Sequence, residues 1–251
     1  MPVTSVSPRP LLIIAAGRPV ESLRRHGGFA HWIRVAADLQ AGQVQVVDVE
    51  SGEPLPAHDG FAGVIISGSA AMVTERLAWS EHCAAWLREA AGAGVPTLGI
   101  CYGHQLLAHA LGGEVADNPE GRRMGTYEVE LLEAAAKDPL FSGLPARFPA
   151  QVTHVQVVRR LPQGAVALAR TGHDPLHAFR WGRSVWGVQF HPEFSATHMR
   201  GYLRARAQVL RSEGADPGAL LQAVRAAPVA RGVLRRFAQL ARTTLAHSSR
   251  E

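Results

Sequence analysis

Cysteine is nearly absent from this chain. Its 251 residues hold two, Cys83 and Cys101, too few for a disulfide scaffold. Long apolar runs are missing too. No stretch reaches the roughly eighteen residues that a membrane helix needs, so no membrane partner is expected. The apolar run Leu11 to Ala16 is too short and too weakly flanked for a secretory signal, which leaves a cytoplasmic protein as the expectation. The phosphate-cradling pattern G-x-x-x-x-G-K-[ST] does not occur, and no ATP-pyrophosphatase signature is apparent. No group of His, Cys and acidic residues shows metal-ligand spacing, so neither metal nor other cofactor is expected. Charge is modest at 19% of residues, against 47% apolar, which is a globular balance. The net charge of +5 owes much to arginines crowded into residues 200–236. With no nucleic-acid-reading motif beside them, they read as a solvated helical face, and no nucleic-acid partner is expected.

What is present is an alternation of short apolar runs and helical patterns. LLIIAA (11–16) reads as a buried strand, and GFAHWIRVAADLQAG (28–42) as a helix ended at Gly42. QVQVVDV (43–49) and FAGVIISG (61–68) read as strands. WSEHCAAWLREAAGAG (79–94) reads as a helix that Ser80 could cap, with Cys83 a small buried residue on it. VPTLGI (95–100) is a strand and GHQLLAHALGG (103–113) a helix. The alternation predicts an α/β fold, a mostly parallel central sheet with helices on both faces. Residues 125–190 then supply an extra β segment: TYEVELL (126–132), QVTHVQVV (151–158), AVALAR (165–170), LHAFRWG (176–182) and SVWGVQF (184–190), with a hairpin turn around Gly182. Residues 195–246 read as helical, broken at Gly214–Gly218 and at Ala227-Pro228. The expected division is a domain over 1–195 and a C-terminal helical extension over 196–251. Apolar residues at helical spacing, Leu220, Leu221, Val224 and then Val233, Phe237, Leu240, favour packing of the extension on the domain. The alternative is a partner or homodimer interface; no heptad run supports a coiled coil.

The junction VPTLGICYGHQLLAHALGG carries the first chemical signal. A buried strand runs directly into a helix through Gly99-Ile100-Cys101-Tyr102-Gly103. This is the G-x-C-x-G form of a nucleophile elbow, in which glycines permit a sharp turn that side chains would obstruct. The elbow would hold the Cys101 sulfur at the carboxyl edge of the sheet and at a helix N-terminus, which favours thiolate. The backbone N–H of Tyr102 would be an oxyanion donor. On this segment alone, a buried cysteine beside a helix that merely needs glycines is an equal reading. A second segment, SVWGVQFHPEFS, ends a strand in His191-Pro192-Glu193. The imidazole can take and return a proton, and a carboxylate two residues on can orient it.

Together GICYGHQLLAHALGG and VWGVQFHPEFS resemble the two signature segments of class I glutamine amidotransferases. Within that group the chain is similar to the stand-alone domains like the amidotransferase part of guanosine monophosphate synthetase, over roughly residues 10–195. The resemblance implies a flavodoxin-like fold and a Cys101–His191–Glu193 triad. It implies hydrolysis of the glutamine side-chain amide through a γ-glutamyl thioester, with ammonia released to a separate synthetase subunit. Where the family's oxyanion loop reads Ser-Gly-Gly-Pro, this chain has Ser67-Gly68-Ser69-Ala70. That implies Ser69 as the second oxyanion donor and Gly68 beside the substrate. Gln105 matches a substrate-contacting position. Thr153-His154-Val155-Gln156 resembles the Ser-His-Gly-Asp stretch that meets the substrate's α-amino and α-carboxyl groups, with Val155 and Gln156 as departures. Arg122 and Arg123, in Gly-Arg-Arg-Met-Gly (121–125), either meet an anionic substrate or lie in a solvated loop. Two other functions share these motifs. One is a γ-glutamyl peptidase or hydrolase acting on γ-glutamyl amides, separable by a leaving-group side that is open rather than closed. The other is a non-catalytic regulatory homologue, against which the intact triad argues.

Overall fold

The computed structural model describes residues 9–248, with side chains described as far as residue 243. Its strands, in chain order, are β1 (Leu11–Ala15), β2 (Val44–Asp48), β3 (Gly63–Ile66), β4 (Thr97–Ile100), β5 (Glu114–Asp117), β6 (Arg123–Leu131), β7 (Arg147–His154), β8 (Gln156–Arg160), β9 (Ala165–Thr171), β10 (Asp174–Trp181) and β11 (Val185–Val188). Its α-helices are α1 (Phe29–Ala36), α2 (Ala78–Gly92), α3 (Tyr102–Ala110), α4 (Ala196–Ala205), α5 (Ala207–Ser212), α6 (Pro217–Ala223) and α7 (Pro228–Ser248).

The apolar strands β3, β4 and β11 are buried along their whole length, as central parallel strands are. They belong to a nine-stranded sheet ordered β2-β1-β3-β4-β11-β10-β9-β6-β7. The first five strands run parallel. β11 is the joint, since it is parallel to β4 and antiparallel to β10. The extra β segment therefore extends the central sheet itself. The fold is α/β. Successive β1 residues point to opposite faces. Leu11 and Ile13 join a core with Ile33 of α1 and Phe237 of α7. Leu12 and Ile14 join a second core with Leu87 of α2 and Leu106 of α3. Both faces of the parallel half are thereby covered.

Several local expectations are corrected. The helix expected over 28–42 ends at Ala36; Asp38 adopts a left-handed φ of 58°, and Ala41–Gln43 forms a separate 3-10 turn. Ser80 is no cap: α2 starts at Ala78, and the Ser80 hydroxyl lies 2.5 Å from that of Tyr102. The strand expected over 151–158 breaks at Val155. Its second part, β8, leaves the main sheet and pairs with β5 in a two-stranded ribbon. Arg123 to Gly125 lie in β6 rather than in a loop.

The segment after Ser195 is helical and divides into α4 to α7. Val233, Leu234, Phe237, Ala238 and Ala241 of α7 are buried in the same core as the sheet. The approach is close: a β-carbon placed on Gly63 of β3 would stand 2.8 Å from that of Ala241. Backbone ties add to the packing, because the Arg225 carbonyl accepts from Gln151 Nε2 (2.7 Å) and the Arg225 N–H donates to Thr126 Oγ1 (3.1 Å).

Candidate active site

Cys101 is the single residue between β4 and α3. Its backbone has φ 51° and ψ −100°, a conformation costly to any residue with a side chain. The flanking glycines make the turn possible. A β-carbon on Gly99 would lie 2.3 Å from the Gly103 carbonyl oxygen, and one on Gly103 would lie 2.6 Å from that of Ile66. The turn is pinned by Cys101 N–H donating to the Val188 carbonyl (2.8 Å) and by Gln105 N–H donating to the Cys101 carbonyl (3.1 Å). The Cys101 thiol lies 3.5 Å from the Thr153 carbonyl oxygen.

His191 follows β11 and is fixed by its N–H donating to the Gln151 carbonyl (2.8 Å). Its ring packs on Phe194, with centroids 4.3 Å apart. Nδ1 meets the carboxylate of the fully buried Glu193 at 2.8 Å, while the buried Nε2 has no hydrogen-bond partner in the protein. Burial disfavours the protonated ring. The charge of the Glu193 carboxylate, and then that of Cys101, outweigh it and raise the His191 pKa to about 10. Gly68 stands against both partners. A β-carbon there would lie 3.0 Å from His191 Cε1 and 3.8 Å from Cys101 Cβ. Ser67 Oγ accepts from Ala16 N–H (3.0 Å) and donates to the Gly68 carbonyl (2.9 Å), and Ser69 Oγ accepts from Ala71 N–H (3.0 Å).

Cys101, His191, Ser69, Tyr102, Gln105, Thr153, His154 and Val155 all line one cavity of about 870 Å³. Glu193 stands behind His191. Gln105 Nε2 donates to the Gln156 carbonyl (2.7 Å) and to Gln189 Oε1 (3.1 Å), so its amide hydrogens are committed inside the protein. The break at Val155 is held by Asn118 N–H donating to its carbonyl (2.8 Å). The Gln156 side chain is likewise occupied, reaching Thr74 and Asp117. Arg122 lines the cavity but makes a forked ion pair with Glu213 (2.9 Å), and Arg123 pairs with Glu120.

The profile of the family described as glutamine amidotransferase class-I matches residues 25–207. The chain belongs to the class-I glutamine amidotransferase family. Among its relatives, one subunit of the glutamine-hydrolysing GMP synthase of Methanopyrus kandleri is 34% identical over 174 residues, covering 68% of this chain and 87% of the relative. A glutamine-hydrolysing GMP synthase from Thermomicrobium roseum is 43% identical over 140 residues, 56% of this chain. There the match takes up 25% of the relative's length. A glutamine amidotransferase structure from Thermotoga maritima superposes with a TM-score of 0.74 at 24% identity, covering 93% of this chain and 98% of that one. That likeness is one of fold.

Beyond the family's two signature segments, the cavity has a second wall that sequence reasoning did not find. It comes from Arg18 to Arg24 after β1 and from Tyr202, Ala205 and Arg206 at the end of α4. No local signal marked them, because each segment becomes a wall only when α4 folds back. Sequence spacing also hid a buried group formed by the end of β7 and the start of β10, His154, Asp174 and His177, whose donor atoms lie within 4.8 Å of one another. Among the described residues it is the one grouping that could offer a metal ion three ligands. His177 Nδ1 bonds Asp174 at 2.8 Å, and His154 Nδ1 bonds the Gln156 carbonyl at 3.0 Å. Burial pulls His154 down to about 3, so this ring is neutral at ordinary pH. No helix among the described residues is long and apolar enough to cross a membrane.

Proposed function

We propose that the chain hydrolyses the side-chain amide of glutamine through a γ-glutamyl thioester on Cys101, releasing ammonia. The observation that carries this reading is the His191 ring. One nitrogen is held by buried Glu193, and the other is free of protein partners in the cavity that Cys101 also lines. Cys101 attacks the amide carbon as thiolate. The developing oxyanion is received by the backbone N–H groups of Tyr102 and Ser69. His191 passes its proton to the departing nitrogen, and ammonia leaves. Water then adds to the thioester while His191 takes its proton, and glutamate is released. Glu193 keeps the ring oriented and stabilises its charged form. Gly68, Gln105 and the run Thr153-His154-Val155 hold the amino-acid end of the substrate. Gln105 offers its carbonyl oxygen, since its amide hydrogens are used within the fold.

Relatives named as one subunit of GMP synthase support a separate synthetase partner that accepts the ammonia. Two free cysteines suit a reducing cytoplasm. A second reading, hydrolysis of larger γ-glutamyl amides, draws on the cavity. At about 870 Å³ it is near the top of the range for drug-sized ligands, far more than glutamine fills. The purified chain given glutamine should release glutamate and ammonia in equal amounts, and Cys101→Ser should lower kcat by roughly 10³-fold or more. Undiminished hydrolysis in Cys101→Ser would overturn the covalent route.

A further inference from the structure

We propose that His154, Asp174 and His177 form a buried binding site for one divalent transition-metal ion of the zinc class, beside the cavity wall that the Thr153–Val155 run supplies. Its occupancy does not depend on the hydrolysis proposed above.

His154 closes β7, while Asp174 and His177 lie at the start of β10. No sequence spacing announces such a site, since only the tertiary fold brings the three residues together. Each offers one ligand atom, and the three atoms lie within 4.8 Å of one another. Tetrahedral zinc, with bonds of about 2.0–2.2 Å, sets its ligands roughly 3.3–3.6 Å apart, so the widest gap need close by no more than roughly 1.5 Å. All three residues are buried, with exposures of 5%, 1% and 0%.

The hydrogen bonding leaves valences that the protein does not fill. His154 Nδ1 donates to the Gln156 carbonyl (3.0 Å), and His177 Nδ1 donates to Asp174 Oδ2 (2.8 Å). In the neutral rings each Nε2 then carries a lone pair, and neither Nε2 has a hydrogen-bond partner in the protein. Two bare, buried imidazole nitrogens are costly unless an electron-poor group meets them. Imidazoles whose other N–H is fixed by a carbonyl or a carboxylate are the form in which histidines hold metals. The Asp174 carboxylate is short of positive charge as well, because its one ion pair among the described residues is with His177. Its oxygens accept from His177 and from the Leu176 N–H (3.1 Å), and each keeps a lone pair for an ion. Thr171, which pairs with Asp174 across β9 and β10, has a buried hydroxyl without a partner too. His154 also lines the cavity, which gives an ion a way in. Two imidazoles and a carboxylate suit zinc, whereas magnesium and calcium favour all-oxygen shells. A bound ion would tie the end of β7, and with it the Thr153–Val155 run, to β10.

The test is zinc binding by the full chain carrying Cys101→Ala, so that the thiol and imidazole of the triad do not compete for the metal. After stripping with a chelator and dialysis against zinc sulfate, elemental analysis should find one zinc per chain. Zinc should raise Tm, and magnesium should not. Asp174→Asn and His177→Gln should each weaken zinc binding about tenfold or more in calorimetry and remove the rise in Tm. No retained zinc, or zinc bound equally by the parent and both variants, overturns the site. Anomalous scattering at the zinc edge from crystals of the zinc-loaded parent locates the ion without any change in the site. A peak between His154, Asp174 and His177 supports the site even where a variant fails to fold. A peak at other histidines only, or no peak, overturns it and leaves a chamber filled by water.

Discussion

Phe237→Ala puts the packing of α7 to a quantitative test. The ring is fully buried within the core that α7 shares with the sheet. It meets Trp186 of β11 edge to face, with centroids 6.2 Å apart at 80°. Trp186 is itself anchored by its Nε1–H donating to the buried Asp138 carboxylate at 3.1 Å, so it cannot readily move to fill the space. Truncating such a ring costs about 3–5 kcal/mol, including the cavity left behind. In a chain of this size each kcal/mol lowers Tm by about 2–4 °C, so the expected drop is about 6–20 °C. Total stability of about 5–15 kcal/mol leaves the variant folded at room temperature in all but the most marginal case. Scanning calorimetry of both proteins reads the shift. Val209→Ala, on the exposed side of α5 at 36% exposure, is the control and should move stability by less than about 0.5 kcal/mol. A drop of under about 3 °C for Phe237→Ala would contradict a structural role for α7 in the sheet core.

Glu193→Gln should lower kcat by roughly 10²-fold, less than loss of Cys101, because an orienting carboxylate contributes least among residues that act as a unit. It should also change the pH dependence. His191 is raised from 6.5 to about 10, so its protonation stabilises the fold fully below about 6.5, and that contribution is lost as pH rises through about 10. Without the carboxylate, the alkaline fall in Tm and in kcat/KM should begin at lower pH; coincident profiles for the two proteins would contradict the pairing. Gly99→Ala, which would place a β-carbon 2.3 Å from the Gly103 carbonyl oxygen, should cost about 3 kcal/mol or more or abolish soluble yield. Gly42→Ala, with open space around it, should be nearly neutral in the same denaturant titration; equal effects would mean that the elbow tolerates a side chain.

The parallel strands and the elbow were legible because their signals are local. LLIIAA has no polar residue to spoil a doubly buried strand, and G-I-C-Y-G states its own turn. The two signature segments come together because β11 lies beside β4, an adjacency the alternating pattern implies without fixing. What was hidden depended on tertiary context. The α1 boundary is set by the left-handed Asp38, where a glycine would have been the usual mark. Ser80 looks like a cap, but its hydroxyl is used by Tyr102. The break at Val155 is made by Asn118, far away in sequence, and β5 is too short and too polar to announce itself. Arg24 and Arg206 both line the cavity only because α4 folds back over the segment that follows β1, and His154 finds Asp174 and His177 only through the tertiary fold.

The central claim is that Cys101, and not merely a cysteine, is the nucleophile. The most direct measurement is alkylation with a glutamine analogue bearing a reactive carbon at the amide position, followed by peptide mass spectrometry. Cys83 is fully buried on α2, and burial pushes its thiol up to about 12, so it is both shielded and protonated. Cys101 lies at the elbow beside the His191–Glu193 pair in the cavity. The account predicts one adduct per chain, on Cys101, slowed by excess glutamine and prevented in Cys101→Ala. Labelling mainly on Cys83, or labelling of Cys101 that glutamine does not slow, would contradict it.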